Sequence, residues 1–416
     1  MASGASNVTN VPELLKSIWD DEVPDYQFED EVFYGKIEKD TSWDGIYQII
    51  TCKIGNGGGH STQFATAKTN KGASTFKKMQ IETSDNFAVW SVDNKLITLS
   101  RNQKGALMRA LQEATEGAQN KFKRRTVRAL WSTGGGSIGK VASVAGANLT
   151  LVDVNDVRNF DIGDVCAFAP DDGYLTTGLA GVFDQTRTVA SIDEDAGIIT
   201  FDSTLATITG LGANSFVFID GDYGATMKGV PFYVTTADPG VSGIPTSIWG
   251  MNQTTWKTRL AGHRFTGDQN QVPEEVMNAL TKAFRRNCST TDIFFSPELF
   301  NEFAQGLETQ RQRPSEEKIG RVGYTGIEVT SQSGKTVKCW GDPSVRKSNA
   351  GNQLIFGLNM DTWVLHSAEE YPMWLTEDGK KRFMTEENNN AVEGRVGGYA
   401  QAYTNAPGEN WVLELS

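Results

Sequence analysis

The sequence predicts an α+β fold that carries an inserted all-β domain. Three segments indicate this class: an amphipathic helix over residues 98–130, a β-rich stretch over 137–225 and a helix–strand–helix pattern over 273–307. The apolar stripe of the long helix consists of Leu107, Leu111, Ala114, Ala118 and Phe122.

The composition disfavours several classes of protein. With 416 residues, of which 38% are hydrophobic and 10% aromatic, the chain is long enough for about three domains with substantial cores. We expect no membrane span, because no window of about 18 apolar residues occurs, and no secretory signal. The four cysteines are far apart in the sequence, which fits a reducing compartment and argues against a clustered zinc site.

Charge is unevenly distributed along the chain. The formal net charge is −12, from 39 basic and 51 acidic residues, which disfavours a protein that coats nucleic acid. Residues 1–33 carry eight acids and one base, residues 95–130 nine bases and two acids, and residues 141–222 thirteen acids and two bases. Such blocks either pair, within a chain or between copies, or form solvated faces. One hypothesis is that the acidic first block of one copy lies against the basic helix of a neighbour.

Residues 44–93 predict a long hairpin. Ile46, Ile50, Cys52 and Ile54 alternate with polar residues, and a second β-like stretch follows over 76–92. The middle of the hairpin, residues 55–74, is too polar to build a core and is expected to project from the body. Residues 1–35 are expected to form an acidic arm that needs a surface to lie on.

Two further regions contain clear elements. The phrases at 141–151 and 189–201 resemble each other and predict two hairpins of a small barrel or sandwich. Pro273 opens a helix that ends at Arg286, residues 292–295 form a buried strand, and Ser296 caps a second helix. The segments 398–403 and 411–415 are expected to form a C-terminal hairpin.

Motifs that could carry chemistry lack their structural context. Residues 134–140 match GxxxxGK, but Val141 occupies the position of the magnesium-binding Ser or Thr, and the order is helix then strand. Residues 135–139 fit GxSxG, which also needs a strand followed by a helix. The acidic clusters at 171–173, 193–195 and 220–222 lack the spacing of a calcium loop. We expect no catalytic, metal-binding or cofactor-binding residues and no enzyme activity.

A basic cluster marks the C-terminal end of the long helix. Its members are Lys121, Lys123, Arg124, Arg125 and Arg128. Cations at this end suit the helix dipole, which favours a solvated or interface segment. Phosphate contact is the alternative, and it would be non-specific because no aromatic residues are interleaved for base stacking.

Several short phrases occur in a specific order along the chain. They are KGVP at 228–231, SIWG at 247–250, TWK at 255–257, DIFFSP at 292–297 and LIFGLN at 354–359. Together with the order of the predicted elements, they resemble bacteriophage major capsid proteins of the HK97-like fold. The resemblance covers most of the chain except about 137–225.

The resemblance implies a domain organisation. It implies an N-terminal arm at 1–35, an E-loop at 36–94, a P-domain spine helix at 95–136, an inserted β-rich domain at 137–225, mainly A-domain with P-domain returns at 226–395, and a C-terminal P-domain hairpin at 396–416. The implied assembly interface on the E-loop consists of Gly57, Gly58, Gly59, Lys71, Lys77 and Lys78. Some family members crosslink neighbouring subunits through a Lys–Asn bond, but the resemblance assigns no positions of this sequence to it.

The implied function is structural. Hexamers and pentamers of this chain would form an icosahedral phage head around double-stranded DNA, assembled in the bacterial host cytoplasm. Implied partners are other copies, a separate scaffolding protein, the portal, packaged DNA bound non-specifically and, in some phages, a decoration protein; no membrane and no cofactor are implied. The basic cluster would then face either DNA or a neighbouring subunit.

Two other classes remain open from the sequence. The Gly- and Thr-rich middle suggests a phage tail or fibre adhesin, although a fibre should repeat along most of its length. The tryptophan content and acidic balance suggest a hydrolase, although the sequence offers no credible catalytic site.

Overall fold

The computed structural model describes residues 31–94, 104–174, 181–241, 244–310, 327–330, 334, 336–376, 383–385 and 390–416. The arm predicted over residues 1–30 and the helix start predicted over 98–103 lie outside these ranges. The helices are α1 (Val32–Lys36), α2 (Phe64–Thr69), α3 (Lys104–Leu130), α4 (Val230–Tyr233), α5 (Lys257–Leu260), α6 (Val272–Arg285) and α7 (Pro297–Gln310).

Strands occur along most of the described chain. They are β1 (Glu38–Asp40), β2 (Tyr47–Gly55), β3 (Thr75–Glu82), β4 (Ser84–Asp93), β5 (Ser137–Ala145), β6 (Asn148–Leu151), β7 (Val165–Ala169), β8 (Arg187–Asp193), β9 (Ile198–Phe201), β10 (Phe216–Ile219), β11 (Ser247–Ile248), β12 (Met251–Asn252), β13 (His263–Gly267), β14 (Asp292–Phe295), β15 (Ile327–Thr330), β16 (Thr336–Gly341), β17 (Gln353–Leu358), β18 (Trp363–Ser367), β19 (Met373–Trp374), β20 (Phe383–Thr385), β21 (Ala391–Thr404) and β22 (Trp411–Leu415).

Strands β5 to β10 close into a barrel in the order β10-β5-β6-β9-β8-β7. Alternate side chains point inward, so Leu149, Phe168 and Val217 are fully buried in its interior. The β5–β6 and β8–β9 hairpins are the two hairpins predicted from the weak internal repeat. The barrel has its own hydrophobic core, separate from the cores of the rest of the chain.

A mixed sheet contains β13, β22, β17, β14, β16 and β15 in that order. Helix α6 packs on β13 and β22, and α7 packs on β14 and β16. The packing face of α6 is apolar because Val276, Ala279, Leu280 and Ala283 recur at helical spacing. The predicted helix–strand–helix of residues 273–307 is confirmed as α6, β14 and α7.

A second sheet is organised around the long strand β21. Strands β4, β18, β19 and β20 all pair with β21, and β1 pairs with β18. Helix α3 packs against β4 and β21 with its described buried residues, which include Ala118 and Phe122 of the predicted stripe. The side chains of Leu107, Leu111 and Ala114 lie outside the described part of the chain.

An aromatic cluster joins these layers. The ring of Phe33 in α1 lies 5.0 Å from Trp131, 5.5 Å from Phe294 and 5.9 Å from Trp363, between ring centroids. Phe33 lies in α1 and Trp131 in the turn after α3. Phe294 lies in β14 of the first sheet, and Trp363 lies in β18 of the second sheet. Buried aromatic pairs add to the burial of apolar area, so the cluster fixes both sheets and the spine helix to one another.

Strands β2 and β3 pair as a two-stranded ribbon whose two faces differ. Cys52, Met79 and Ile81 on the inner face are buried in the main core, whereas the outer face is exposed. The ribbon therefore lies against the body by one face, and residues 56–74 extend beyond its paired part. The prediction of one hairpin over 44–93 is wrong in its second half, because β4 leaves the ribbon and pairs with β21.

The predicted C-terminal hairpin is also wrong. Strand β21 pairs with β4 and β18, whereas β22 lies in the other sheet between β13 and β17. Almost all of β22 is buried, which suits a central strand better than a hairpin edge. The change of sheet occurs at Asn410, whose side chain accepts a hydrogen bond from Asn359 N and donates to Ala406 O.

No helix among the described residues is long and apolar enough to cross a membrane.

The first prediction concerns the close approach of β17 to β22. Gly357 lies opposite Trp411, and a Cβ at Gly357 would lie 2.0 Å from Cε2 of the buried indole. We expect Gly357→Ala to reduce the free energy of unfolding by about 1–3 kcal/mol, because overpacking forces the ring or the strand to shift. The measurement is urea unfolding of the unassembled subunit.

Gly35→Ala is the matched control: no atom lies within 4 Å of its Cβ, and the change should be neutral or slightly stabilising. Equal stability of the two variants would contradict this prediction.

Candidate assembly surfaces

The outer face of the β2–β3 ribbon combines exposed apolar and polar side chains. Tyr47 is 50% exposed, Ile49 52% and Phe76 56%, and Ile46 next to the ribbon is 79% exposed. Neither strand of the ribbon pairs with a third described strand, although the Gln80 amide in β3 donates one hydrogen bond to Trp249 O. Exposed apolar side chains on a strand with free edges are a surface that favours pairing with another chain.

The predicted E-loop residues lie in two places. Gly57 and Gly59 pack tightly at the end of the ribbon, because a Cβ on Gly57 would lie 2.5 Å from Ser74 N and one on Gly59 would lie 2.0 Å from Ala67 O. Gly58, with φ of +105°, makes the turn between them. Lys71 belongs to this closed tip, whereas Lys77 and Lys78 lie in β3, with the Lys77 ammonium 5.3 Å from the Trp256 ring. Their role as an assembly interface stays a prediction.

The basic end of α3 is paired with the barrel of the same chain. Among the described residues, the ion pairs join Lys121 to Asp164, Arg124 to Asp161, and Arg125 and Arg128 to Asp222. Lys123, the remaining member of the cluster, has no ion-pair partner among the described residues. The opposite charges noticed in the sequence therefore meet within one subunit. Contact of the cluster with DNA or a neighbouring copy stays a prediction.

Burial changes the ionisation of this contact. Burial raises the pKa of Asp222, while the charges of Arg125 and Arg128 act in the opposite direction. Burial lowers the pKa of Arg128 to about 10, against the attraction of Asp222. Asp222 and the two arginines form a partly buried ionic contact between barrel and spine.

A second ionic contact attaches the barrel to the loop after β16. Arg346 donates two hydrogen bonds to Asp156, from Nε at 2.9 Å and from Nη2 at 2.8 Å. Burial acts to lower the pKa of Arg346, but the charge and hydrogen bonds of Asp156, together with the charges of Asp153 and Asp172, raise it overall. Arg158 donates to Ser344 Oγ at 2.8 Å beside this pair. A bidentate pair fixes orientation as well as distance, so it holds the barrel in one position.

The sequence motifs for chemistry have structural roles. A Cβ on Gly135 would lie 2.0 Å from Asp172 O, so residues 134–136 are packed against the barrel loops and form no phosphate cradle. Lys140 Nζ donates to Asn349 O. No group of three or more His, Cys, Asp or Glu side chains within the described ranges could hold a metal ion. Burial raises the pKa of the Cys166, Cys288 and Cys339 thiols to about 12.

The sequence did not indicate one further feature, a cleft of about 720 Å³ beside the starts of β13 and β22. We name it the cationic cleft. Its charged side chains are Lys53, Lys257, Arg259, Arg264, Arg286, Asp238 and Glu409, five bases and two acids with a formal charge of +3. Asp238 pairs with both Lys257 and Arg264. Because the bases come from β2, α5, β13 and the residue that follows α6, no run of bases in the sequence marks the cleft.

His263 lies in the wall of the cationic cleft. Burial lowers its pKa to about 4, and the charges of Arg286 and Arg264 act in the same direction. The ring is therefore neutral at pH 7, and its Nδ1 lies 3.3 Å from Nη1 of Arg286. The cleft has a positive potential that opposes the addition of another cation.

Comparisons with known proteins identify the fold. No protein-family model matches the sequence, and no curated protein matches it significantly. The capsid asymmetric unit of cyanophage A-1(L) matches with a TM-score of 0.55 at 10% identity, over 98% of this chain and 99% of that chain. The chain has a phage capsid-protein fold. The resemblance to capsid proteins is thereby confirmed at the level of the fold.

Two further structures with lower scores are also similar to this chain. The capsid of a native GTA particle has a TM-score of 0.42 at 8% identity, over 99% of this chain and 100% of that chain. The SrpI encapsulin complex of Synechococcus elongatus has a TM-score of 0.41 at 10% identity, over 98% and 96%.

The second prediction concerns the Arg346–Asp156 pair. We expect Arg346→Met to lower the free energy of unfolding by about 2–4 kcal/mol, because it leaves the Asp156 carboxylate, which is only 10% exposed, without its partner. Arg124→Met is the matched control at the same boundary. Because Arg124 is 41% exposed and Asp161 38%, that loss should stay below about 1 kcal/mol. The measurement is urea unfolding of the unassembled subunit, and similar losses in both variants would refute the prediction.

The third prediction concerns pH. The pKa of His263 is about 4 in the fold, below the 6.5 of an unperturbed histidine, so the unfolded state binds a proton first as pH falls. The stability that His263 provides is complete above pH 6.5 and is lost as pH falls toward 4. We expect the stability difference between the wild type and His263→Gln to fall by about 1 kcal/mol from pH 7 to pH 5, allowing for partial exposure. Unfolding curves at both pH values measure this difference. His60→Gln on the exposed ribbon tip is the control, and a pH-independent difference for His263→Gln would refute the prediction.

Proposed function

We propose that this chain is a major capsid protein, many copies of which assemble into the hexamers and pentamers of an icosahedral phage head around double-stranded DNA. One observation carries the proposal: the match to the cyanophage capsid subunit extends over 98% of this chain and 99% of that one. A match over both whole chains supports the same kind of subunit more strongly than a shared domain would.

The domain roles in this proposal follow the layers of the fold. The β2–β3 ribbon within 36–94 is the E-loop, α3 within 95–136 is the spine helix of the P-domain, and the barrel within 137–225 is an inserted domain. Strand β21 belongs to the P-domain sheet and β22 to the A-domain sheet, in place of a shared C-terminal hairpin at 396–416. The closed barrel with its separate core supports the insertion.

The ribbon supports assembly on physical grounds. A two-stranded ribbon with one exposed face has few interactions of its own beyond the inner face. Covering the outer face with another copy would bury Tyr47, Ile49 and Phe76, at about 25 cal/mol for each Å² of apolar area. Pairing between identical subunits with closed symmetry then produces a shell without any catalytic residue.

The remaining partners belong to the same proposal. A separate scaffolding protein, the portal, non-specifically bound DNA and, in some cases, a decoration protein would contact the assembled subunits. Assembly would take place in the host cytoplasm and the product would be the virion capsid. The fibre and hydrolase alternatives gain no specific support from the described residues.

The fourth prediction tests the ribbon as an assembly surface. We expect Ile49→Asp to lower the yield of shells at least tenfold while the subunit keeps its circular dichroism spectrum, because a carboxylate in a covered apolar interface lacks a partner. Shells are quantified by sedimentation after expression with a scaffolding protein. Ile162→Asp is the matched control, since this side chain is 70% exposed on the barrel and outside the ribbon. Normal shell yield from Ile49→Asp, or an equal loss in Ile162→Asp, would contradict the role of the ribbon.

A further inference from the structure

The cationic cleft contains positive charge that the described part of the subunit does not neutralise. Lys53, Arg259 and Arg286 line the cleft without an ion-pair partner among the described residues. The Arg286 guanidinium instead lies 5.1 Å from the ring centre of Phe265. Clustered unpaired cations in a concave site attract an anion, here in a chain with a formal charge of −12.

The strongest concentration of opposite charge is in residues 1–33, with eight acids and one base. Within it are two runs of three consecutive acids, at 20–22 and at 29–31. The basic end of α3 was the expected counterpart of this segment, but Lys121, Arg124, Arg125 and Arg128 bind barrel carboxylates. Among the described residues, the cationic cleft is a concave surface that offers unpaired cations.

The run at 20–22 is the better match for the cleft. Residues 29–31 directly precede α1, which is fixed in the aromatic cluster by Phe33. The run Asp20-Asp21-Glu22 is separated from α1 by further residues and carries three negative charges, equal in number to the net charge of the cleft.

The position of α1 favours contact between different copies. The Phe33 amide donates to Asp342 Oδ2 just after the end of β16, whereas the cleft lies where β13 and β22 begin. Because β16, β14, β22 and β13 all run in the same direction, these are opposite ends of the sheet. The straight-line distance from Asp342 to the cleft is about 25 Å. It follows from a rise of about 3.3 Å per residue along a strand and a spacing of about 4.8 Å between neighbouring strands. The residues from Glu22 to Glu31 span about 30 Å only when fully extended, and the path over the surface is longer.

We propose that the cationic cleft binds the acidic run Asp20-Asp21-Glu22 of a second copy of this chain. The proposal deepens the proposed function and rests on it, because it adds a specific contact between subunits of the shell. The contact would be mainly electrostatic, so it should weaken steeply with salt.

The fifth prediction is tested by direct binding. The probe is a fluorescently labelled peptide of residues 11–27, and the receptor is the full chain with D20N, D21N and E22Q, so that its own run is neutral. We expect saturable binding at 50 mM salt that is weakened at least tenfold at 500 mM salt, measured by fluorescence anisotropy. We also expect R259Q/R286Q in the receptor to weaken binding at least tenfold.

The matched control removes the same charge nearby. Lys282 and Arg285 are exposed bases of α6 outside the lining of the cleft, so K282Q/R285Q should leave binding within about twofold. Equal binding by the two double variants, or equal binding of a peptide with the neutral run, would overturn the proposal. A DNA oligonucleotide provides a further test as a competitor. If it displaces the labelled peptide from the cleft at a lower concentration than the unlabelled peptide does, the cleft is a phosphate-binding surface and the proposal is overturned.

A second comparison distinguishes contact between copies from contact within one chain. At nanomolar concentrations, where subunits are separate, the wild-type chain should bind the peptide as tightly as the chain with the neutral run. If the run occupied the cleft of its own chain, its millimolar effective concentration would exclude the peptide and contradict the proposal.

Failure of the wild-type chain to form shells while the peptide still binds the cleft would reject the proposed function alone. Normal shells without cleft-dependent peptide binding would reject this inference alone.

Discussion

Ion pairs between the acidic barrel and the rest of the subunit determine which charges remain available to other molecules. The barrel segment carries a large negative charge, and the end of the spine helix carries a large positive one. Asp222, Asp161 and Asp164 bind the spine, and Asp156 binds Arg346. These ion pairs act together with hydrogen bonds such as Lys140 Nζ to Asn349 O and Arg158 to Ser344 Oγ, which also attach the barrel to the body. The cationic cleft carries further positive charge that these ion pairs leave unneutralised.

The aromatic cluster provides the matching apolar constraint. Phe33, Trp131, Phe294 and Trp363 come from distant parts of the sequence and meet at one point. They fix the two sheets and the spine helix as one framework, from which the ribbon presents its outer face. Rigid placement of a surface lowers the ordering cost of binding, so the framework suits a subunit that pairs with copies of itself.

Local signals predicted much of the fold. Pro273, Ser296 and the apolar spacing of α6 and α7 are short-range features, and the structure agrees with the predicted starts of both helices to within one residue. The two barrel hairpins were predictable because strand, turn and strand are adjacent in sequence. Strand pairing across long separations was not predictable: β4 joins β21 about 300 residues later, and β22 lies between β13 and β17. A period of two residues shows that a segment is a strand but does not name its partner.

The candidate surfaces were predictable to different degrees. The polar ribbon tip and the basic cluster are each a continuous stretch of sequence, so both could be predicted. The barrel carboxylates that pair with Arg124, Arg125 and Arg128 could not be predicted from residue spacing. The cationic cleft was missed because Lys53, Arg259 and Arg286 are isolated bases that only the fold brings together. Charge blocks in a sequence indicate that pairing occurs, whereas the fold decides which block is already paired.

The most direct test of the central claim is electron cryomicroscopy of particles formed by the wild-type chain expressed with a scaffolding protein. The account predicts closed icosahedral shells built from hexamers and pentamers, with the outer face of the β2–β3 ribbon covered by a neighbouring subunit. Separate compact subunits at every concentration, elongated trimers, or shells that leave this face of the ribbon open to solvent would contradict it.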